Sequence, residues 1–248
     1  MTDVKTQRKN QYASSALAEL DRQMMEEILD PATSSVLINI DWQRDYVSPE
    51  GKCNKLWHQS IDLAQEALPR AQAVTDAFRA LEKPVVFTQN FENIGGRNKA
   101  RMARAIRHEK VATPEDEELG VAAVRGTPGA DIIMDVKPEE RVFEKTGQSA
   151  YTQEMKDYIK ESGAKVVFLT GVRTNRCVLA TLIDMYNDAD VYVVVLTDAI
   201  ATDKPELDIL LKKEIEEFYP PVLTTTELLD AWKNALAKHP SVHVKAAD

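Results

Sequence analysis

The sequence predicts a single-domain α/β protein. Its expected architecture is a three-layer α/β/α sandwich around a mostly parallel, doubly wound, six-stranded sheet (Rossmann-like), with an N-terminal helical extension. Two observations support this fold class. Short apolar, β-branched runs alternate with longer segments of helical periodicity along the 248 residues, an order typical of right-handed strand–helix–strand crossovers. Several runs are apolar almost throughout, which indicates parallel strands buried on both faces.

Six runs are the predicted strands, at residues 35–40, 84–88, 141–144, 165–170, 191–196 and 221–224. The helices between them are predicted at residues 71–81, 153–162, 176–187 and 205–219. Gly163 is a suitable stop for the helix that ends at residue 162. The helix at 205–219 has Asp203 as a candidate N-cap and Pro205 in its first turn.

A further helix at residues 12–29 precedes the first strand, with Leu17, Leu20, Met24 and Ile28 on one stripe. Two interpretations stay open for it: a helix that packs on its own domain, or an arm that contacts another subunit. The chain therefore divides into a helical extension (1–32), one folded domain (33–240) and a tail (241–248).

Composition and charge exclude several classes of protein. The formal net charge is -9 and the pI about 5.1, so nucleic acid and anionic membrane surfaces are poor partners. The polar first ten residues contain no apolar segment of a secretory signal. No run approaches the roughly 18 apolar residues that a membrane-spanning helix needs. We therefore expect a cytoplasmic protein in which the two cysteines, Cys53 and Cys177, are reduced.

Residues 97–110 form a strongly basic segment in this acidic chain. Such a run is most often one solvated face of a helix. The alternative is a cover over an active site that attracts an anionic substrate.

Three residues with chemical potential lie at predicted strand ends. Asp41 directly follows the first strand, Lys145 the third, and Cys177 comes shortly after the fourth. Ligands of doubly wound sheets bind outside the carboxyl ends of the strands, so this topology brings the three residues to one edge. A nearby ammonium or helix N-terminus lowers the pKa of a thiol. Asp41 is placed to take the thiol proton and return it to a leaving amine, and backbone N–H groups ahead of Cys177 to hold an oxyanion.

Each of these residues alone has an ordinary structural explanation. Cysteine is commonly a small buried hydrophobic residue, an aspartate after a strand is often a turn or cap residue, and most lysines are surface charges. Cys53 lies in a polar, glycine-containing loop and is interpreted as structural or incidental. The convergence of the three strand ends is what favours catalysis.

At these residues the sequence resembles the isochorismatase-like cysteine hydrolase superfamily, which includes nicotinamidases, N-carbamoylsarcosine amidase and ureidoacrylate hydrolases. The resemblance covers roughly residues 33–230 and rests on four blocks in this order: 41–46, 126–130, Lys145 with 149–151, and 171–178. It implies that the domain at 33–240 is an isochorismatase-like hydrolase domain. It also implies a homo-oligomer, since relatives are often dimers or tetramers.

The resemblance assigns roles to the same three residues. It implies a catalytic triad of Asp41, Lys145 and Cys177, with an oxyanion hole made by the backbone N–H groups of Arg173 and Cys177. A cis peptide between Val172 and Arg173 is expected to organise that hole. The Cys177 thiolate then attacks a carbonyl, ammonia or an amine leaves, and water hydrolyses the thioester.

The chain departs from the nicotinamidase pattern after the second strand. Nicotinamidases carry metal-binding histidines there, whereas residues 88–97 contain none. The four histidines, His58, His108, His239 and His243, form no convincing ligand set at a strand end. We therefore expect no metal and no cofactor, and nicotinamide becomes a weaker substrate candidate.

Several residues are candidates for binding substrate: Trp42, Gln43, Tyr46, Gln89, Asn90, Phe91, Tyr151 and Arg173. Simple packing is the competing explanation for the polar and aromatic members. Arg173 or Arg176 is suited to grip a substrate carboxylate through a forked contact, with Arg173 favoured because Arg176 lies where a helix begins.

Three function classes stay open on these observations. The first is an amidohydrolase for a small amide, carbamoyl or ureido compound, with or without a carboxylate. The second is a vinyl ether hydrolase of the isochorismatase type, which needs no thiol and is therefore disfavoured by Cys177. The third is a non-catalytic binding or scaffold protein. The presence of all three residues Asp41, Lys145 and Cys177, called the trio below, argues against this class.

Overall fold

The computed structural model describes residues 16–91 and 122–238. Its strands are β1 (Ser35–Ile40), β2 (Val85–Asn90), β3 (Arg141–Lys145), β4 (Val166–Val172), β5 (Tyr192–Ala201) and β6 (Val222–Leu223). They form one six-stranded sheet in the order β3-β2-β1-β4-β5-β6, with every pairing parallel. The predicted doubly wound α/β fold is confirmed.

Helices cover both faces of the sheet. They are α1 (Ala16–Leu29), α2 (Arg44–Val47), α3 (Lys52–Lys55), α4 (Asp62–Ala80), α5 (Gln153–Ser162), α6 (Leu179–Asp188), α7 (Pro205–Phe218) and α8 (Thr225–Lys238). Two of them correct the sequence prediction. Helix α4 begins at Asp62, ahead of the predicted start at residue 71, and continues through Pro69. Helix α8 was not predicted.

The core has two parts, one on each side of the sheet. On one side, α1, α4 and α8 pack on the strands, and Phe78, Phe168 and Trp232 meet at their centre with ring centroids 5.0–6.1 Å apart. On the other side, α5, α6 and α7 contribute Met155, Leu182 and other apolar residues. Strands β1 and β4 are buried along their full length, as expected for central parallel strands.

The N-terminal helix α1 packs on its own domain through its C-terminal half. Ile28 is buried in the core, and Met24 packs against the same cluster. Leu17 and Leu20 remain about 60% exposed, so the apolar stripe is only partly covered in this chain.

Helix ends follow local sequence chemistry with one correction. Gly163 ends α5 in the left-handed conformation at φ 64°, which glycine adopts without steric cost. At the start of α7 the N-cap is Lys204, whereas Asp203 was predicted. The Asp203 carboxylate instead forms an ion pair with Arg173.

Some predicted segments lie outside the described residues: the basic segment 97–110, the start of the 12–29 helix and the tail 241–248. Among the helices of the described ranges, none has the length and apolarity to cross a membrane.

Candidate active site

Asp41 lies immediately beyond β1 in the left-handed backbone conformation, at φ 52°. Aspartate and asparagine are among the non-glycine residues that adopt this region most readily. Its fully buried carboxylate is held by Thr88 of β2, whose hydroxyl donates to Oδ1 at 2.7 Å. The same hydroxyl accepts from the Asp41 backbone N–H at 3.2 Å. The carboxylate is therefore fixed by the neighbouring strand.

Lys145 is the last residue of β3, and its side chain is 2% exposed. Its ammonium lies 2.7 Å from Asp41 Oδ2 and donates to the carbonyl of Gly147 at 2.9 Å. It also lies 3.4 Å from Cys177 Sγ and 3.4 Å from Asn90 Oδ1. A buried charge is tolerated only when it is paired and hydrogen-bonded. This ammonium thus joins the carboxylate and the thiol.

Cys177 lies in a wide helical turn, Thr174–Val178, that leads from β4 into α6. The peptide bond between Val172 and Arg173, directly ahead of the turn, is cis. The backbone N–H groups of Arg176 and Val178 both donate to the carbonyl of Arg173, at 3.0 and 3.2 Å. These bonds curl the chain so that the Cys177 side chain faces Lys145.

The electrostatics of the trio favour a protonated thiol in the resting protein. Burial and the Asp41 carboxylate raise the pKa of Cys177 to about 12, while the Lys145 ammonium acts in the opposite direction. Burial also disfavours the charged form of Lys145, but Asp41 and Cys177 outweigh it and raise the pKa of the ammonium. Lys145 is therefore a permanent cation, and the thiol has a carboxylate beside it to receive its proton.

Trp42 and Gln43, predicted as substrate contacts, instead have structural roles. Trp42 is fully buried, and its indole N–H donates to Thr170 Oγ1 at 3.3 Å. The Gln43 amide donates to the carbonyls of Asn90 and Ala130, each at 2.9 Å, and accepts from the Asn90 N–H at 2.8 Å. A substrate has no access to either side chain in this structure.

Among the other predicted substrate contacts, Asn90 is the one whose side chain has a described hydrogen bond with the Lys145 ammonium. The Asn90 amide donates to the Tyr46 hydroxyl at 2.8 Å, which connects Tyr46 to the Lys145 ammonium. Gln89 donates to the carbonyl of Ala130 at 2.8 Å. Phe91 is 7% exposed and lies beneath the Arg125 guanidinium, 3.9 Å from its ring centroid. Tyr151 is half-buried, with the Lys156 ammonium 4.6 Å above its ring.

The Arg173 side chain differs most from its predicted role. It is only 8% exposed and forms an ion pair with Asp203 at 2.9 Å, and it donates to Gln59 Oε1 at 2.7 Å. It also hydrogen-bonds the buried Cys53 thiol, whose pKa burial raises to about 12. The guanidinium was predicted to bind a substrate carboxylate through a forked contact. In this structure it contacts the Asp203 carboxylate and the Gln59 side-chain amide oxygen.

Two buried carboxylates, Asp203 and Asp45, were not predicted as residues of the site. Asp203 follows β5 at the same sheet edge as Asp41, and this strand-end position could have indicated from the sequence that it lies near the site. Asp45 is buried and accepts from the backbone N–H groups of Ala123 at 2.8 Å and Lys52 at 3.1 Å. A Cβ at Gly129 would lie 2.2 Å from the Asp45 carboxylate, which explains the second of the two glycines in the 126–130 block.

Within residues 16–91 and 122–238, no group of three histidine, cysteine, aspartate or glutamate side chains is arranged to hold a metal ion. At the end of β2, the side chains of Gln89 and Asn90 are hydrogen-bonded to protein groups.

Comparisons with known proteins identify the family and the fold. A family model described as the isochorismatase domain matches residues 35–227. An isochorismatase-like hydrolase structure from Alkaliphilus metalliredigens is 22% identical with a TM-score of 0.64, covering 81% of this chain and 100% of its own. No curated protein sequence matches the chain.

Two further structures with similar folds are named as amidases. A pyrazinamidase of Pyrococcus horikoshii in complex with zinc is 21% identical with a TM-score of 0.60, covering 77% of this chain and 99% of its own. The N-carbamoylsarcosine amidase of Thermoplasma acidophilum is 19% identical with a TM-score of 0.59, covering 78% and 97%. At these identities the likeness shows the shared fold.

Proposed function

The chain belongs to the isochorismatase family, and from this premise we propose that it is a cysteine amidohydrolase for a small amide, carbamoyl or ureido compound. One observation carries the proposal. The buried Lys145 ammonium contacts both the Asp41 carboxylate, at 2.7 Å, and the Cys177 sulfur, at 3.4 Å. A nucleophile, a proton acceptor and a fixed cation are thereby assembled at one sheet edge. Structural neighbours named as amidases support C–N bond cleavage.

In the first half of the proposed reaction, Asp41 accepts the Cys177 proton and the thiolate attacks the substrate carbonyl carbon. A C–S bond forms, and the carbonyl electron pair moves to oxygen. The backbone N–H groups of Arg173 and Cys177 are proposed to hold that oxyanion. Asp41 then returns the proton to the leaving nitrogen, the C–N bond breaks, and ammonia or an amine departs.

The second half regenerates the enzyme. Water attacks the thioester carbon while Asp41 takes the water proton, and the C–S bond breaks. The departing thiolate recovers that proton, and the acid product is released. Lys145 stays protonated throughout and stabilises the thiolate whenever it forms, because its buried charge is fixed beside the sulfur.

The test is ammonia release from a panel of primary amides, N-carbamoyl amino acids, ureido acids and biuret-like compounds. Wild type is run beside Cys177→Ala and Cys177→Ser. We expect turnover of one subset and a loss of at least about 100-fold in both variants. Turnover that survives in Cys177→Ala would refute the thiol mechanism and favour direct attack of water on the amide, with Asp41 as the base. No turnover together with a Cys177 inert to iodoacetamide would favour a binding protein.

A further inference from the structure

The Arg173 side chain occupies an internal network directly behind the nucleophile turn. Its guanidinium forms an ion pair with Asp203 at 2.9 Å and donates a hydrogen bond to Gln59 at 2.7 Å, and these two partners come from different parts of the fold. Asp203 follows β5, whereas Gln59 lies in the connection between α3 and α4. The Arg173 and Asp203 side chains are 8% and 1% exposed. A pair of this burial requires good geometry to offset its desolvation.

A second bond joins the same two segments. The Thr202 hydroxyl, one residue before Asp203, donates to Asn175 Oδ1 at 3.0 Å. Thr202 and Asp203 thus contact Asn175 and Arg173. Arg173 and the Thr174–Val178 turn that follows it are together called the 173–178 turn below. The Cys53 thiol and Gln59 also interact with the guanidinium. Arg173, which directly precedes the turn that carries Cys177, is therefore held by two segments that are distant in sequence.

Arg173 also supplies backbone groups to that turn. Its carbonyl accepts from the N–H groups of Arg176 and Val178, and its own N–H is one of the two proposed oxyanion donors. Fixing the guanidinium thus fixes the peptide groups on which the turn depends. Its ion pair with Asp203 and its hydrogen bond to Gln59 are both made with buried groups of the protein.

We propose that Arg173 and Asp203 are positioning residues, forming an ion-paired clamp that fixes the oxyanion-binding backbone of the 173–178 turn. This inference rests on the proposed function. It predicts that loss of the clamp lowers kcat with little change in KM, since a donor misplaced by about 1 Å costs roughly 100-fold in rate. It also predicts that Arg173 does not select for carboxylate-bearing substrates.

The test replaces both partners, Arg173→Met with Asp203→Leu, because removing one partner leaves a buried unpaired charge that endangers folding. The matched control is Arg79→Met with Glu140→Leu. That pair is also largely buried (19% and 7% exposed) and forked, at 2.7 and 2.9 Å, but it lies at the opposite edge of the sheet, just before β3.

Three measurements are made on the folded proteins. Amide hydrogen exchange across residues 173–178 should become at least about 10-fold faster in the clamp variant and stay unchanged in the control. With whichever panel compound is turned over, kcat should fall about 10- to 100-fold while KM stays within about threefold. The ratio of Cys177 alkylation rates with iodoacetate and iodoacetamide should stay within about twofold of wild type.

The outcomes separate the two proposals. Unchanged exchange, unchanged kcat, or equal losses of kcat in the control pair would overturn the clamp. A selective fall in the iodoacetate rate, or a KM rise confined to carboxylate-bearing compounds, would overturn it in favour of substrate binding by Arg173. If wild type turned over nothing while exchange across the turn still accelerated, the clamp would be supported and the proposed function would fail.

Discussion

Asp41 and Lys145 act in opposite directions on the Cys177 thiol, so replacing each in turn should give opposite changes in its reactivity. Asp41→Asn removes the anion that raises the thiol pKa. Asparagine tolerates the left-handed backbone at this position and still accepts a hydrogen bond from Thr88. Lys145→Met removes the cation that stabilises the thiolate.

The expected magnitude follows from the 3.4 Å between Lys145 Nζ and Cys177 Sγ. With an effective dielectric constant of about 20, the attraction between ammonium and thiolate is about 5 kcal/mol. Without Lys145 the thiol pKa rises, so the thiolate fraction near neutral pH falls. We expect iodoacetamide to alkylate Cys177 at least about 100-fold more slowly in Lys145→Met. In Asp41→Asn alkylation should be faster than in wild type.

Turnover should separate from alkylation in the Asp41 variant. Because Asp41 is the proposed proton carrier, Asp41→Asn should lose about 100- to 10,000-fold in kcat although its thiol reacts faster. Alkylation is followed by mass spectrometry of the Cys177 peptide across a pH series. Lys165→Met, which removes an exposed lysine paired with Glu27, is the matched control. Equal slowing of alkylation in both site variants, or full turnover in Asp41→Asn, would refute this reasoning.

Two further predictions concern stability. Gly171→Ala should lower the free energy of unfolding, measured with denaturant, by at least about 3 kcal/mol, because Gly171 has φ 133° and a Cβ would lie 2.3 Å from a β1 carbonyl. The control is Gly147→Ala, where a Cβ would have nothing within 4 Å, and its free energy of unfolding should stay within about 0.5 kcal/mol of wild type. Equal losses in both variants would contradict the steric explanation. Asp203→Asn should lower the free energy of unfolding by about 3 kcal/mol near neutral pH. Burial opposes ionisation of Asp203, but Arg173 helps to lower the pKa of its carboxyl below the usual 3.8. The ion pair therefore stabilises the fold above pH 3.8, and this stabilisation is lost as the pH falls through the pKa of Asp203 in the folded protein. The difference in Tm between wild type and Asp203→Asn should therefore shrink in acid, and a constant difference would argue against the ion pair.

The sheet and the trio were predictable because their signals are local and strong. Continuous apolar runs mark buried parallel strands, and the carboxyl ends of such strands necessarily meet at one edge. Asp41, Lys145 and Cys177 each lie at or shortly after the end of a strand, so their approach needed no knowledge of side-chain packing. Catalytic roles for the three remain a prediction.

The missed elements have weaker or competing signals. The first half of α4 buries small residues such as Ala64 and Ala67 and contains Pro69, which normally interrupts a helix. Helix α8 does carry a capping box: the Thr224 N–H and hydroxyl both donate to the Glu227 carboxylate, and the Glu227 N–H donates back to the hydroxyl at 3.2 Å.

Side-chain roles depended on partners that are distant in sequence. Arg173 was expected to face substrate because it lies beside the nucleophile, yet its partners are Gln59 and Asp203, brought to it only by folding. Trp42 and Gln43 likewise follow β1 but turn inward to Thr170, Asn90 and Ala130. Strand-end position predicts which segments approach the site, whereas side-chain direction is decided by tertiary hydrogen bonding.

Attachment of the trio to the sheet has a consequence for engineering. Asp41 and Lys145 are anchored directly at the ends of β1 and β3, and Cys177 by the short turn after β4. A library that diversifies the longer connections between strands, but keeps the Arg173 partners Gln59 and Asp203, would leave acid, cation and thiol in register. New substrate preferences should therefore be obtainable by exchange of the remaining loop residues, with the nucleophile turn kept as in the parent scaffold.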